Sequence, residues 1–365
     1  MIAKKLDNLF AEALADKVFP GAMAGILLER NERQEKYIIG GGFTDETKKF
    51  NVNRYTFFDL ASLTKPFVTT LSIVVLIRDG KISFQSQLKD IFSKKIAEDK
   101  KFLTIGQLLQ HSAGFQATSN YYDLLKDVKN IQERKEKLFR LLMDERIAVN
   151  EENTSLYSDL GFLLLGCVIE EITGESLEDF WVKNIARPLH LADSLLFLPK
   201  AKGIGVERIA CTERCIFTGQ MLCGDVHDEN CRILGGVTGH AGLFGTVEGV
   251  LNLCGHLLKG WKGGVNHQLI PGELLRLIFR RNTAESRWCL GFDTPSEFNS
   301  SSGRYFSRQS VGHLGFTGTS FWIDLQEGIV VVLLTNRVHP SRTNEKIKAF
   351  RPYFHDALME ELRKV

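Results

Sequence analysis

The spacing of apolar and polar residues near the N-terminus predicts one helix followed by two strands. Leu6, Leu9, Phe10, Ala13 and Leu14 recur at helical spacing, which indicates an amphipathic first helix. Residues 22–29 and 36–40 are apolar stretches on either side of a polar turn at 30–34. Two apolar stretches joined by a short polar turn are typical of a β-hairpin, so we expect one here.

The last third of the chain returns to the same pattern. Ser320–Leu325 and Ile329–Leu334 flank the turn Gln326-Glu327-Gly328, which predicts a second hairpin, and a terminal helix is expected over 354–362. Residues from about 81 to 235 show mostly helical and loop patterns instead.

Three features of this middle region carry specific predictions. Thr104 precedes a short apolar helix as a plausible cap, and Leu160–Ile172 is densely apolar and stops at Gly174, which indicates a buried helix. Ser176–Asp179 resembles a capping box. Residues 200–239 lack periodicity, and such a long irregular stretch usually has a function or covers a site.

Strands at both ends of the chain, with helices between them, predict an α+β fold. One antiparallel sheet would be assembled from both termini and flanked by helices, with a mostly helical domain inserted. We therefore assign residues 1–58 and 240–365 to a sheet domain and residues 59–239 to a mainly helical domain. An active site is expected between the two.

Charge and hydropathy exclude several classes of partner. The formal net charge is +2, so no strong field favours nucleic acid or an anionic membrane. The longest apolar runs, such as Ile329–Leu334, are too short to span a bilayer. The first ten residues lack the apolar run of a signal peptide. We expect a cytoplasmic protein without nucleic-acid or membrane partners, while the oligomeric state stays open.

The cysteines raise the question of a metal site. An odd number of them, without an export signal, indicates reduced thiols. Four lie close together in sequence with His227 among them, namely Cys211, Cys215, Cys223 and Cys231. Their spacings lack the tight Cys-x-x-Cys pairs of structural zinc sites, so we favour unpaired loop thiols and expect no metal and no cofactor.

A serine and a lysine stand three residues apart at the head of a long apolar segment. Ser62 and Lys65 would share one helical face, and Pro66 is tolerated only near a helix start. Free N–H groups there favour developing negative charge, which suits a serine that attacks a carbonyl. Taken alone, however, these residues fit a helix cap with a solvated lysine better, and Ser86-Gln87-Leu88-Lys89 repeats the spacing.

Two later segments carry further candidate residues. Tyr157 and Asp159 stand just before the buried helix, and His313 lies on a glycine-punctuated strand, Gly312–Asp324. Each has a structural explanation: Asp159 as a helix N-cap, Tyr157 as a core aromatic and His313 as a structural histidine.

In combination, the three segments resemble the serine β-lactamase, penicillin-binding protein and esterase superfamily, whose signature is Ser-x-x-Lys followed by two later motifs. The order and spacing are similar to the class C β-lactamase-like branch, so the resemblance implies a β-lactamase/transpeptidase-like fold. Further matching segments extend the likeness over nearly the whole chain: Phe19–Ala22, Phe58–Lys65, Leu108–Gly114, Tyr157–Phe162, Val226–Asn230, Gly235–Phe244 and Leu334–Pro340.

The resemblance implies a role for each candidate. Ser62 would be the acylated nucleophile, Lys65 the amine that shares its proton, and Tyr157 the shuttle between serine and leaving group. His313-Leu314-Gly315 stands in the place of Lys-Thr-Gly. The backbone N–H groups of Ser62 and Phe316 would form the oxyanion hole.

Two residues depart from the family pattern. Asp159 stands where many members have asparagine, and a carboxylate has no N–H for a substrate's acylamino group. His313 replaces a lysine that helps to hold a substrate carboxylate, and histidine is largely neutral at pH 7. Together with the missing export signal, these departures argue against a resistance β-lactamase or an extracytoplasmic cell-wall enzyme.

Our hypothesis is a cytoplasmic serine hydrolase that forms an acyl-enzyme on Ser62 and cleaves a small ester or amide, such as a D-amino-acid peptide or cell-wall fragment. A β-lactamase or D,D-carboxypeptidase is the alternative, and a non-catalytic relative is a remote one because serine, lysine and tyrosine are all present. His227, Asp228 and the turn Gly239–Gly242 are expected to wall the pocket. A metallohydrolase or α/β-hydrolase is disfavoured because His-Glu-x-x-His and Gly-x-Ser-x-Gly do not occur.

Overall fold

The fold is built around an antiparallel sheet to which both ends of the chain contribute. A computed structural model describes residues 2–30, 33–148, 155–263, 269–281 and 287–364. Its strands are β1 Gly21–Arg30, β2 Arg33–Gly42, β3 Phe58–Asp59, β4 Leu195–Phe197, β5 Leu243–Gly245, β6 Val311–Leu314, β7 Ser320–Asp324 and β8 Ile329–Thr335. The larger sheet has the order β2-β1-β8-β7-β6, all antiparallel, and Gly25 of β1 pairs with Val332 of β8. The predicted α+β fold with a sheet from both termini is confirmed.

Helices occupy most of the remaining described chain. They are α1 Ile2–Ala15, α2 Leu71–Arg78, α3 Leu88–Phe92, α4 Ile105–Leu109, α5 Tyr121–Leu125, α6 Ile131–Asp144, α7 Asp159–Thr173, α8 Leu177–Trp181, α9 Glu229–Ile233, α10 Val247–Trp261, α11 Gly272–Ile278 and α12 Ile347–Leu362. A small antiparallel sheet, β3-β5-β4, contains residues from both predicted domains. The boundaries of the two domains stay a prediction.

The sheet is covered on both faces. On β8, Val330, Val332 and Leu334 belong to one buried cluster and Ile329, Val331 and Leu333 to another. Helices α1 and α12 cover the second face and α10 the first. A strand that is buried on both faces has a continuous run of apolar residues, and β8 therefore shows no alternation of apolar and polar residues.

Most predicted element ends are confirmed. Thr104 and Gln107 form a capping box at α4, Ser176 caps α8, and Gly174 ends α7 with a φ of 67°. Both hairpins form where they were expected, although residues 31 and 32 of the first turn lie outside the described part of the chain.

The serine segment differs from the single helix that we expected. It is a 3-10 turn at Ala61–Leu63, a π-helical stretch at Lys65–Thr70 and then α2. Pro66 has no N–H to donate within this stretch, and wide turns of this kind are frequent at functional sites.

One described helical segment, Ala61–Arg78, is long and apolar enough to cross a membrane, which the sequence reasoning overlooked. However, 83% of this segment is buried inside the fold. Its apolar composition is therefore explained by its place in the core.

The prediction of reduced thiols was wrong for one pair. Cys211 and Cys223 form a disulfide, because Thr212 and Glu213 pair through backbone hydrogen bonds with Leu222 and bring the two cysteines together. The thiols of Cys215 and Cys231 are free and contact other groups. Within the described ranges, no three His, Cys, Asp or Glu side chains are placed to hold a metal ion.

Candidate active site

Ser62 lies on a tight turn that follows β3, and the side chain of Asp59 stabilises this turn. The buried Asp59 carboxylate accepts hydrogen bonds from the N–H of Ala61 (2.8 Å) and of His227 (2.8 Å). Ala61 adopts a φ of 48°, a left-handed conformation that costs an alanine about 1 kcal/mol. The Thr64 hydroxyl donates to the Ala61 carbonyl at 2.7 Å. These contacts hold the strained turn, and Ser62 stays partly exposed.

Lys65 is fully buried beside the serine. Its Nζ lies 3.0 Å from Ser62 Oγ, 2.7 Å from Asp159 Oδ1 and 3.2 Å from the His240 carbonyl oxygen. Burial alone would lower the pKa of Lys65, but the Asp159 carboxylate and Tyr157 outweigh burial and raise it to about 12. At neutral pH the resting side chain is therefore an ammonium that donates to the serine.

Tyr157 completes the contacts of the nucleophile. Its ring centroid lies 4.9 Å from Lys65 Nζ, and its hydroxyl shares hydrogen bonds with Lys65 and Ser62. Burial raises the pKa of Tyr157, while the ammonium of Lys65 opposes that rise. The tyrosine is consequently a neutral phenol that touches both predicted partners.

Asp159 is not the helix cap that the sequence suggested as its simplest role. The cap is Ser158, which has extended backbone angles and accepts from the Gly161 N–H, whereas Asp159 is the first residue of α7. The carboxylate is thereby free to pair with Lys65, with 21% of the side chain exposed. The N-cap interpretation is wrong.

His313 is buried on β6 and uncharged. Its Nδ1 lies 2.9 Å from the Leu314 carbonyl oxygen, which can only accept, so Nδ1 carries the proton. Burial and the nearby Lys65 lower the pKa of His313 to about 3. The ring lies 6.0 Å from that of Tyr157, so it faces the site but brings no positive charge.

The loop after β6 is fastened directly to the serine turn. The Thr317 hydroxyl donates to the Asp59 carbonyl (2.7 Å) and the Thr319 hydroxyl to the Leu60 carbonyl (3.1 Å). Gly315 backs onto this turn so closely that a Cβ there would lie 2.7 Å from the Leu60 carbonyl oxygen. The loop thus carries the Phe316 amide to the serine turn.

The two amides predicted for the oxyanion hole are those of Ser62 and Phe316. Among the described residues, no acceptor takes a hydrogen bond from the N–H of Ser62 or of Phe316. Two free donors beside a serine hydroxyl are what stabilisation of a tetrahedral oxyanion requires.

Comparison with known proteins decides the family. The model of the family described as Beta-lactamase matches residues 6–351, a range that contains every site residue described above. The chain belongs to the beta-lactamase family. Members of this family are serine hydrolases, and this chain is an enzyme of that class that acts on small substrates.

Relatives of this beta-lactamase-family chain carry several names. It is 30% identical over 313 residues to a Salmonella gallinarum protein named "Putative D-alanyl-D-alanine carboxypeptidase", covering 80% of this chain and 72% of the relative. It is 29% identical over 310 residues to the "N-acetylmuramyl-L-alanine amidase" of Bacillus subtilis, covering 78% and 68%. The solved structure of "EstCE1, a hydrolase with promiscuous acyltransferase activity" has a TM-score of 0.75 at 20% identity and covers 98% of both chains, which shows the same fold.

Two residues of the beta-lactamase-family site were missed by the sequence reasoning. The rings of His111 and Trp288 lie 4.7 and 5.3 Å from that of Tyr157 and 4.8 Å from each other. The His111 Nδ1 accepts from the Ser158 N–H, and burial lowers the pKa of His111 well below its usual value. His111 lay in a matching segment without an assigned role, while no motif marked Trp288.

Residues of the irregular region 200–239 contact Phe316 and His240, and that they wall the substrate pocket stays a prediction. The His227 ring stacks on Phe316 at 5.4 Å, and its Nε2 lies 2.8 Å from Glu213, whose carboxylate also binds Arg342. On the other side, Asp228 pairs with His240, the residue whose carbonyl accepts from Lys65. The Phe316 side chain itself is half exposed at the mouth of the site.

Proposed function

We propose that Ser62 attacks the carbonyl carbon of a small ester or amide, forms an acyl-enzyme and is released by water. The observation that carries the proposal is the contact of 3.0 Å between Lys65 Nζ and Ser62 Oγ. The tetrahedral oxygen would be bound by the amides of Ser62 and Phe316, and losing one such donor typically lowers kcat by about 10²–10³-fold.

Tyr157 is proposed to relay the proton. As the Ser62 oxygen bonds to the carbonyl carbon, its proton passes to the Tyr157 oxygen while the Tyr157 proton passes to the leaving oxygen or nitrogen. Lys65, already an ammonium, stabilises the charge on the tyrosine oxygen during this exchange. Water then follows the same path in reverse, so that the resting protonation is restored.

The charges of the site favour a substrate that places an uncharged group beside His313. His313 is neutral, and the charge of Lys65 is paired with Asp159. Neither can balance a substrate carboxylate, so we propose short esters and amides over penicillin-like substrates, and D-amino-acid peptides only where their carboxylate lies away from His313. The name of one relative, "Putative D-alanyl-D-alanine carboxypeptidase", favours D,D-carboxypeptidase activity as the second candidate.

A cytoplasmic location stays part of the proposal. The Cys211–Cys223 disulfide argues against it, because such bonds are rare in a reducing compartment. A count of the free thiols in the unfolded protein, before and after reduction, tests this point.

Labelling with a fluorophosphonate, read by intact mass and peptide mapping, tests the nucleophile. Wild type should gain one label on Ser62 and Ser62→Ala none. Ser86→Ala removes the serine of the second Ser-x-x-Lys and should label like wild type. A label that persists in Ser62→Ala would refute the assignment. Rates with p-nitrophenyl acetate, nitrocefin and a D-Ala-D-Ala peptide then rank the substrate classes, and a preference for nitrocefin would contradict our choice.

A further inference from the structure

A buried arginine lies directly behind the loop that carries the oxyanion donor. Arg351 of α12 is 7% exposed, and its Nη2 donates to the carbonyl oxygens of Gly315 and Thr319, both at 3.0 Å. In the described part of the chain, no carboxylate lies within ion-pair distance of it. Burial and the neighbouring Arg337 lower the pKa of Arg351 to about 10. A buried cation without a counter-ion is costly, so its contacts with these carbonyls require an explanation.

One of these carbonyls belongs to the peptide that supplies the oxyanion amide. The Gly315 carbonyl and the Phe316 N–H are the two ends of a single peptide group. In a trans peptide they point in opposite directions, so an oxygen turned towards Arg351 directs the N–H away from it. The same oxygen also accepts from the Gly318 N–H at 3.0 Å, which fixes the turn.

A cation at a carbonyl oxygen changes the amide at the other end of the peptide. It draws electron density towards the oxygen and makes the N–H a stronger donor, because linked hydrogen bonds polarise one another. The effect is largest in a dry interior, where the field of the guanidinium is weakly screened. Arg351 meets both conditions, being buried and hydrogen-bonded to this oxygen.

We propose that Arg351 is a positioning residue that orients and polarises the Gly315–Phe316 peptide, so that the Phe316 N–H binds the developing oxyanion more strongly. The inference rests on the proposed function of Ser62 and deepens it. It names a residue that never touches the substrate.

Arg337 offers a matched control. It too is a buried arginine that donates to this loop, but its Nε and Nη2 bind the Phe316 carbonyl, at 2.9 and 2.6 Å. That oxygen belongs to the following peptide, whose N–H is that of Thr317. Loss of Arg337 therefore loosens the same loop without removing a cation from the Gly315 carbonyl.

The decisive comparison is Arg351→Gln against Arg337→Gln with p-nitrophenyl acetate. We expect Arg351→Gln to lower kcat about 10- to 100-fold with KM changed less than about twofold, since only transition-state binding is weakened. The affinity for phenylboronic acid, which forms a tetrahedral adduct, should fall by a similar factor. The infrared carbonyl stretch of the acyl-enzyme should move to higher frequency in Arg351→Gln and stay near wild type in Arg337→Gln. Equal losses in the two variants, or an unmoved stretch in Arg351→Gln, would overturn the proposal.

Arg351→Lys gives a second test that also serves if the glutamine variant does not fold. The charged or titratable groups that face this position are Arg337 and His355, and burial lowers the pKa of His355 to about 4, so it is neutral. Burial should likewise lower the pKa of the introduced lysine, which polarises the peptide only while it is charged. Since the pKa of Arg351 in wild type is about 10, we expect kcat of Arg351→Lys to fall at a lower pH than kcat of wild type. Profiles that fall at the same pH would refute the role.

Fluorophosphonate labelling separates the two proposals. If wild type is not labelled at Ser62, the proposed function fails. If wild type and both arginine variants are labelled and the kinetic and infrared differences are missing, only the role of Arg351 fails.

Discussion

Asp159→Asn should destabilise the protein in a way that depends on pH, because this carboxylate is what keeps a buried lysine charged. The rise in the pKa of Lys65 from 10.5 to about 12 corresponds to about 2 kcal/mol of folding free energy. Without the carboxylate, burial is opposed only by the contact with Tyr157, so we expect the pKa of Lys65 to fall below 10.5, which adds a penalty. Since Asp159 is 21% exposed and asparagine can still accept from Lys65, we expect a total loss of about 2–4 kcal/mol at pH 7.

The sign of the pH dependence follows from the two pKa values. In wild type the stabilisation is fully present below pH 10.5 and disappears as pH rises through about 12. In Asp159→Asn we expect a pKa of Lys65 below 10.5, so the penalty is present at pH 7 and disappears as pH rises towards 10.5. The difference in unfolding free energy between the two proteins should therefore be largest near pH 7 and narrow by pH 10.

Urea unfolding followed by tryptophan fluorescence at pH 7, 8.5 and 10 measures this difference. Glu175→Gln, which breaks an exposed pair with Lys183, is the control and should move the curve little at any of these values. An equal loss at pH 7 and pH 10, or no loss at pH 7, would refute the assignment of the charge to Lys65.

Three further predictions concern other parts of the site. Between pH 6.5 and 4, the unfolding free energy of His313→Gln should fall less steeply with acidification than that of wild type, because folded wild type keeps His313 neutral while its unfolded chain protonates it. If the urea midpoints of the two proteins change equally over this range, the prediction is wrong. Gly315→Ala should lower kcat about 10²-fold with the circular dichroism spectrum retained, because its Cβ would press the loop away from Leu60; full activity would show that the loop is not needed. Thiol titration of the unfolded protein should find five free cysteines without reductant and seven after reduction; seven in both would refute the Cys211–Cys223 pair and favour a cytoplasmic location.

The strands of the sheet and the order of the candidate catalytic residues along the chain could be predicted, because both depend on residues that are close together in sequence. The apolar run of β8 and the turn at Gly328 define a hairpin with few alternatives. Ser62, Tyr157 and His313 each bring a flanking pattern of their own, and a chance repeat such as Ser86–Lys89 has none. The structure brings the first three together and leaves Ser86 bonded to Ser83 in an exposed turn.

The residues that were misread depend on contacts across the chain. Ser158 and Asp159 are neighbours of equal capping propensity, and only the position of Lys65 decides which one is free. The Cys211–Cys223 pair depends on backbone pairing inside an irregular loop, which has no sequence period. The apolar pattern of a helix predicts its length and its buried face, but it does not predict which side chain contacts a residue distant in sequence.

The pairing of β1 with β8 has a consequence for how the protein is made. Gly25 of β1 pairs with Val332 of β8, which is synthesised roughly 300 residues later. At typical synthesis rates of about 5–20 residues per second, the first hairpin emerges from the ribosome about 15–60 s before β8. During that interval one edge of β1 presents its unpaired backbone groups to the surroundings of the ribosome. The nascent hairpin, rather than the finished cleft, is the stage at which this chain is most exposed to aggregation.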